Sequence, residues 1–84
     1  NVLVLNSNII KNKIGIASKD RSIAKVIHSN FLSNKSHIDA YQKNFQYGDG
    51  GKINIYQSIF KGKINTINSD SKSNIYIDNI NIII

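Results

Sequence analysis

The chain has 84 residues, a formal charge of +6, and no cysteine, proline, methionine or tryptophan. That length suits one small domain with a modest core, and the missing thiols exclude disulfides and thiolate metal sites. No apolar run approaches the ~20 residues of a membrane-spanning helix, and no basic-then-apolar signal segment is present.

One pattern recurs along the chain: apolar, x, apolar, x, polar, x, x, apolar. It appears as Val2/Val4/Asn6/Ile9, Ala24/Val26/His28/Phe31, Ile53/Ile55/Gln57/Phe60 and Ile75/Ile77/Asn79/Ile82, spaced by 22, 29 and 22 residues. A short repeat with strand periodicity inside each unit predicts a solenoid of stacked coils.

In the first copy, Val2 and Val4 face one way and Leu3 and Leu5 the other, as a period of two requires. The outward Leu pair suggests that something covers this coil. After Ile9 the chain turns at Lys11-Asn12-Lys13, and Ile14–Ser18 alternates again as a strand, with Gly15 marking a close backbone approach or a bulge. Lys19-Asp20-Arg21-Ser22 forms a polar corner leading into the second copy.

There Phe31 takes the place of Ile9 and Ile38 that of Ile16. The first corner needs six residues from Ile16 to Ser22, whereas the second takes thirteen from Ile38 to Gly51. The surplus is an inserted loop at residues 41–50, and binding often resides on such loops. The third copy places Ile67 in register with Ile16 and Ile38, and Asp70-Ser71-Lys72-Ser73 closes it. The fourth ends in Ile80-Asn81-Ile82-Ile83-Ile84, an apolar edge suited to a cap or another chain.

A leucine-rich repeat sets its Asn three residues after the last strand apolar and follows it with helix, and hexapeptide helices need multiples of six. Neither fits. The predicted fold is all-β, a right-handed parallel β-helix of about three to four coils. It is expected to be a single unit over 1–84, the C-terminal coils of a longer protein. Val4, Val26, Ile55 and Ile77 should then share one internal column. Asn6, His28, Gln57 and Asn79 should form a structural polar ladder at an inward bend, where their amides satisfy unpaired backbone groups.

The segments Ile14-Gly15-Ile16-Ala17-Ser18-Lys19-Asp20-Arg21-Ser22 and Ile38-Asp39-Ala40-Tyr41-Gln42-Lys43, with Tyr47-Gly48, resemble β-helix regions of bacterial secreted or surface proteins. Some of those are attached to spore-coat-type (CotH-like) kinase domains, and the asparagine ladder is shared with the pectate-lyase-like superfold. The resemblance implies an extracellular or cell-surface module. It implies no kinase activity, because the glycine-rich loop and the catalytic and metal-binding motifs of kinases are missing.

Two candidate sites follow. Asp20 and Asp49 each precede a strand copy by two residues and could together hold Ca²⁺. The favoured alternative is that each bonds its own corner backbone, so no cofactor is expected. Resemblance to lyases makes Arg21 a possible base, against an exposed ion pair with Asp20. The stronger candidate is the inserted loop, where Lys19 aligns with Tyr41 and Lys43, Phe45 and Tyr47 follow, a set of rings and ammonium groups suited to sugar faces or acidic glycans. The competing view folds those rings onto the solenoid flank.

The lysines are scattered singly, which favours a solubilising surface over an anion-binding face, and no dense basic stripe interleaves with the loop rings, which argues against nucleic acid. The expected function is a non-catalytic surface module that binds or displays, with carbohydrate as ligand class and no catalytic residue assigned. The alternatives are the end of a polysaccharide lyase or hydrolase, or a structural cap and assembly edge that forms homo-oligomers through the C-terminal end.

Overall fold

Isoleucine, valine and phenylalanine at alternate positions favour extended backbone, because branched and aromatic side chains pack well on a pleated surface. A computed structural model of the chain describes residues 1–44, 46, 48–62 and 67–78, and the backbone of 81–83. Within them the chain forms eleven strands and no α-helix. These are β1 (Val2–Leu5), β2 (Asn8–Ile10), β3 (Ile14–Lys19), β4 (Ile23–Ile27), β5 (Asn30–Leu32), β6 (Ser36–Tyr41), β7 (Lys52–Tyr56), β8 (Ile59–Lys61), β9 (Ile67–Ser69), β10 (Asn74–Asp78) and β11 (Asn81–Ile83). No helix of the described residues is long and apolar enough to cross a membrane.

Every third strand pairs with its counterpart in parallel, giving sheet A (β1-β4-β7-β10), sheet B (β2-β5-β8-β11) and sheet C (β3-β6-β9). The chain visits A, B and C in turn, so the architecture is a parallel β-solenoid. Its register is the one that the repeat predicts. Val2, Ala24, Ile53 and Ile75 are successive partners, as are Val4, Val26, Ile55 and Ile77. Ile9, Phe31, Phe60 and Ile82 align in sheet B, and Ile16, Ile38 and Ile67 in sheet C.

The middle of these columns is the core. Val26, Phe31, Ile38, Ala40, Ile53, Ile55 and Phe60 are essentially inaccessible to solvent. Each large member contributes roughly 1.5–3 kcal/mol by burial. Phe31 and Phe60 stack with centroids 4.6 Å apart and planes 22° apart, adding roughly 0.5–1.5 kcal/mol beyond area alone.

The expected inward ladder is corrected by one residue. Asn6, His28 and Gln57 sit at the bend between sheets A and B, but all three are exposed. Their φ angles are 48°, 51° and 50°. That left-handed twist interrupts the alternation and swings each side chain outward, where His28 Nε2 contacts Gln57 Oε1. Asn79 lies outside the described residues.

The inward positions belong to the next residue, Ser29 in the second copy and Ser58 in the third, both buried. Ser29 Oγ accepts from Ser7 N at 3.2 Å and donates to Ile27 O at 3.1 Å. Ser58 Oγ likewise accepts from Ser29 N at 3.2 Å and donates to Tyr56 O at 3.0 Å. Each hydroxyl thus accepts from an amide of the preceding coil that would cost about 1–3 kcal/mol if buried unpaired, and adds a second donor to a carbonyl of its own bend that already accepts from Asn6 N or His28 N.

A second polar cluster lies between sheets B and C. Buried Asn34 donates to Ile9 O at 2.9 Å, and its Oδ1 accepts from Asn12 N at 2.9 Å. His37 and Ile38 are both buried, so alternation fails here as well. Gly15 makes room for this: a Cβ there would lie 2.6 Å from His37 O and 3.0 Å from Ile9 Cγ2. The close approach expected at Gly15 is real.

Candidate functional site

The inserted loop leaves sheet C at the end of β6, where Tyr41 faces Lys19 of β3 as the 22-residue spacing predicts. Its neck is closed by backbone bonds. Tyr41 O accepts from Asp20 N at 3.3 Å and from Gly51 N at 3.2 Å. Seven surplus residues can be accommodated without shifting the stack because entrance and exit share one carbonyl.

Two carboxylates from different coils then hold the first residues of the loop. Asp20 turns the corner with φ 48°, and its Oδ1 accepts from Lys43 N at 2.7 Å and Asn44 N at 2.9 Å. Asp70 Oδ2 accepts from Gln42 N at 2.7 Å, while Oδ1 accepts from Lys72 N at 3.1 Å. The Ser73 hydroxyl, followed by the Gln42 amide, holds the Asp70 carboxyl below its ordinary range. Three successive loop amides, 42 to 44, therefore point at carboxylate oxygens, a charge-assisted arrangement stronger than neutral pairing.

The exit is fixed by glycines that leave no room for side chains. A Cβ on Gly51 would stand 1.9 Å from Ser18 O, and one on Gly50 the same distance from Ser73 Oγ. Gly50 N donates to Lys72 O at 2.9 Å and Arg21 N to Gly50 O at 2.9 Å. These contacts stitch the loop base to the corners on either side.

Around this anchored neck, Lys19 and Lys43 are exposed and Tyr41 is half-buried. Phe45 and Tyr47, the remaining rings of the predicted set, lie outside the described residues. Asp70 bonds its own corner as an Asx-turn does, whereas Asp20 reaches across to the neighbouring loop. Exposed Asp49 directly precedes Gly50, whose carbonyl accepts from Arg21 N. No group of three or more His, Asp or Glu that could hold a metal ion occurs among the described residues.

Two features escape a period-two reading of the sequence. The Asp70 clamp joins residues 28 apart across the inserted loop, and no repeat spacing announces it. His37 sits between Asn34, whose amide faces Nδ1 at 3.1 Å, and Lys61 O, which faces Nε2 at 3.0 Å. Those partners suit a neutral imidazole protonated at Nε2. Burial pushes the His37 pKa below 6.5, partly opposed by the Lys61 carbonyl. His37 stands 6.0 Å from the Phe31 ring and 5.6 Å from that of Phe60, so it is a core residue.

A shallow cavity of about 290 Å³ lies on the outer face of sheet B, lined by Asn8, Ile10, Asn30, Leu32, Ile59 and Lys61 among others. Comparison of the chain with family models, with curated proteins and with solved structures gives no match.

Proposed function

We propose that this chain is a non-catalytic binding module, a right-handed β-helix of three to four coils that presents the 41–50 loop to a carbohydrate, at a bacterial cell surface. The observation that carries this reading is the double carboxylate clamp. Asp20 and Asp70 fix the loop amides from both sides, and a loop ordered before binding loses less entropy on contact with a ligand. The reading is supported by Lys19 and Tyr41 being register partners at the neck, with Lys43 two residues further on: a ring for an apolar sugar face and two ammonium groups for acidic substituents.

The test is a glycan-array and cell-wall pull-down comparison of the wild-type chain with Tyr41→Ala and Lys43→Ala. Binding to acidic glycans should weaken about tenfold for each, as expected for one lost ring or charge contact of about 1.4 kcal/mol. Undiminished binding in both variants would remove the loop from the function.

A further inference from the structure

Lysines that stand singly along the chain do not stand singly on the solenoid. The turns from sheet B to sheet C carry Lys11, Lys13 and Lys35, and Lys61 ends β8 beside Leu32 of β5. All four are exposed. Hydrogen bonds stack the turns: Lys11 N donates to Leu32 O at 3.0 Å, Lys35 N to Asn12 O at 2.8 Å and Ser36 N to Lys13 O at 2.9 Å. Lys11 and Ser33 share a φ of 56°, so the first two turns have one shape, and buried Asn34 ties them together by accepting from Asn12 N and Nδ2. Four ammonium groups therefore project from one braced corner, on coils that lie ~4.8 Å apart.

None of the chain's five acidic side chains shares that corner. Asp20, Asp49 and Asp70 belong to the corner between sheets C and A or to its loop, Asp39 sits within β6, and Asp78 ends β10. Much of the formal charge of +6 is thereby concentrated on one side of the solenoid. Beside the corner lies the outer face of sheet B. There Leu32, 37 % exposed, stands between Ile10 and Lys61 in the register, and with Ile59 these residues line the shallow cavity. The described rings lie elsewhere: Phe31 and Phe60 are buried, Tyr41 belongs to sheet C, and Tyr56 and Tyr76 belong to sheet A. The face thus lacks the aromatic platform on which single-stranded nucleic acid stacks. It has instead the two parts that suit a lipid surface: apolar side chains for the acyl boundary and ammonium groups for anionic headgroups.

We infer that this side of the solenoid, the corner between sheets B and C with the outer face of sheet B, docks on the surface of an anionic lipid bilayer. Lys11, Lys13, Lys35 and Lys61 meet the headgroup phosphates, and Leu32 with Ile59 enters the acyl boundary. Each lysine near such a surface strengthens partitioning about fivefold, an attraction that added salt screens. The solenoid axis then runs parallel to the membrane. Coils stacked before or after these would lie along that axis and leave this side of it uncovered. The 41–50 loop leaves from a different corner, so lipid and glycan do not compete for one surface.

The experiment sediments the 84-residue chain with vesicles of phosphatidylcholine alone, and with vesicles of phosphatidylcholine and phosphatidylglycerol in equal parts. Wild type should bind the mixed vesicles, leave the neutral ones in solution, and bind less as salt is raised. Lys35→Gln with Lys61→Gln should weaken binding about twenty-five-fold, two lysines at about fivefold each. Lys25→Gln with Lys72→Gln removes the same charge from other parts of the surface and should leave binding close to wild type. Leu32→Ser, with no change of charge, should also weaken it, whereas Tyr41→Ala should not. The substituted lysines and Leu32 are exposed, so each variant should keep its fold, which the far-ultraviolet β signal checks. Absence of wild-type binding to the mixed vesicles overturns the inference. So does an equal loss in the two charge-matched double variants, which would report net charge alone. Full vesicle binding by Leu32→Ser, with a soluble acidic glycan or duplex DNA bound through the same lysines, would make the corner a reader of polyanions and overturns the lipid assignment.

Discussion

The amide of Ser7 donates to the hydroxyl of Ser29, one coil away, at 3.2 Å, and that hydroxyl in turn donates to Ile27 O. The bend thus depends on one small side chain that both accepts and donates. Ser29→Ala leaves the part-buried Ser7 amide without its acceptor, at a cost of about 1–3 kcal/mol, while Ile27 O keeps the Asn6 amide. Urea denaturation of Ser29→Ala should show a lower midpoint with an unchanged slope. Ser7→Ala, whose hydroxyl meets only Leu5 O among the described residues, should lose clearly less.

Much of this fold can be read from spacing alone. The Val4, Val26, Ile55 and Ile77 column and the Lys19–Tyr41 pair both follow from equal intervals, because parallel coils place equal indices over one another. The ladder falls one residue from its expected place for a local reason. Alternation carried through Asn6 assumes an extended backbone, but φ is 48° there. Asn and His tolerate that conformation better than most residues, and the serine that follows in three copies was the signal to weigh. The burial of His37 is equally hidden, since a strand with Ile38 inward should turn His37 outward. Only Gly15, one coil earlier, hints that space is kept for it. The aspartate clamp is illegible because a loop's path over neighbouring coils depends on tertiary closure.

Gly51 gives the sharpest steric prediction. A methyl group at that position would meet Ser18 O at 1.9 Å and Ser18 C at 2.2 Å, and backbone atoms cannot move aside as a flexible side-chain tip can. Gly51→Ala must push β7 from β3 or displace the loop exit. A loss above about 3 kcal/mol is expected, in the range of severe overpacking. Gly48→Ala has open space around its Cβ but a φ of 80°, so it should cost only about 1 kcal/mol of backbone strain. Thermal melts of the two variants should separate clearly.

Removing the Asp20 clamp should affect the loop more than the fold. Asp20→Ala frees the amides of Lys43 and Asn44 from their acceptor while every core column stays intact. Hydrogen exchange at those two amides should accelerate at least tenfold, with global stability lowered by less than about 1 kcal/mol. Asp20→Asn retains an acceptor oxygen and should keep most of the protection. If Asp20→Ala leaves exchange unchanged, the loop is held by something other than this carboxylate.

The buried His37 sets the response to mild acid. Its folded pKa is lowered from 6.5, chiefly by burial, so between the folded value and 6.5 the unfolded chain binds more protons than the native one. Stability should therefore be complete above about 6.5 and decline as the pH falls from there towards the folded value. Protonating Nδ1 would also turn it into a donor facing the Asn34 amide, which is itself a donor. The lowered Asp70 carboxyl acts in a separate window. Its contribution is present above 3.8 and disappears only as the pH falls through its lower folded value. Urea midpoints measured from neutral pH down to about 5 should thus fall for wild type. They should stay flat over that range for His37→Gln, which keeps a donor and an acceptor but cannot titrate. An equal decline in both proteins would place the acid-sensitive group elsewhere.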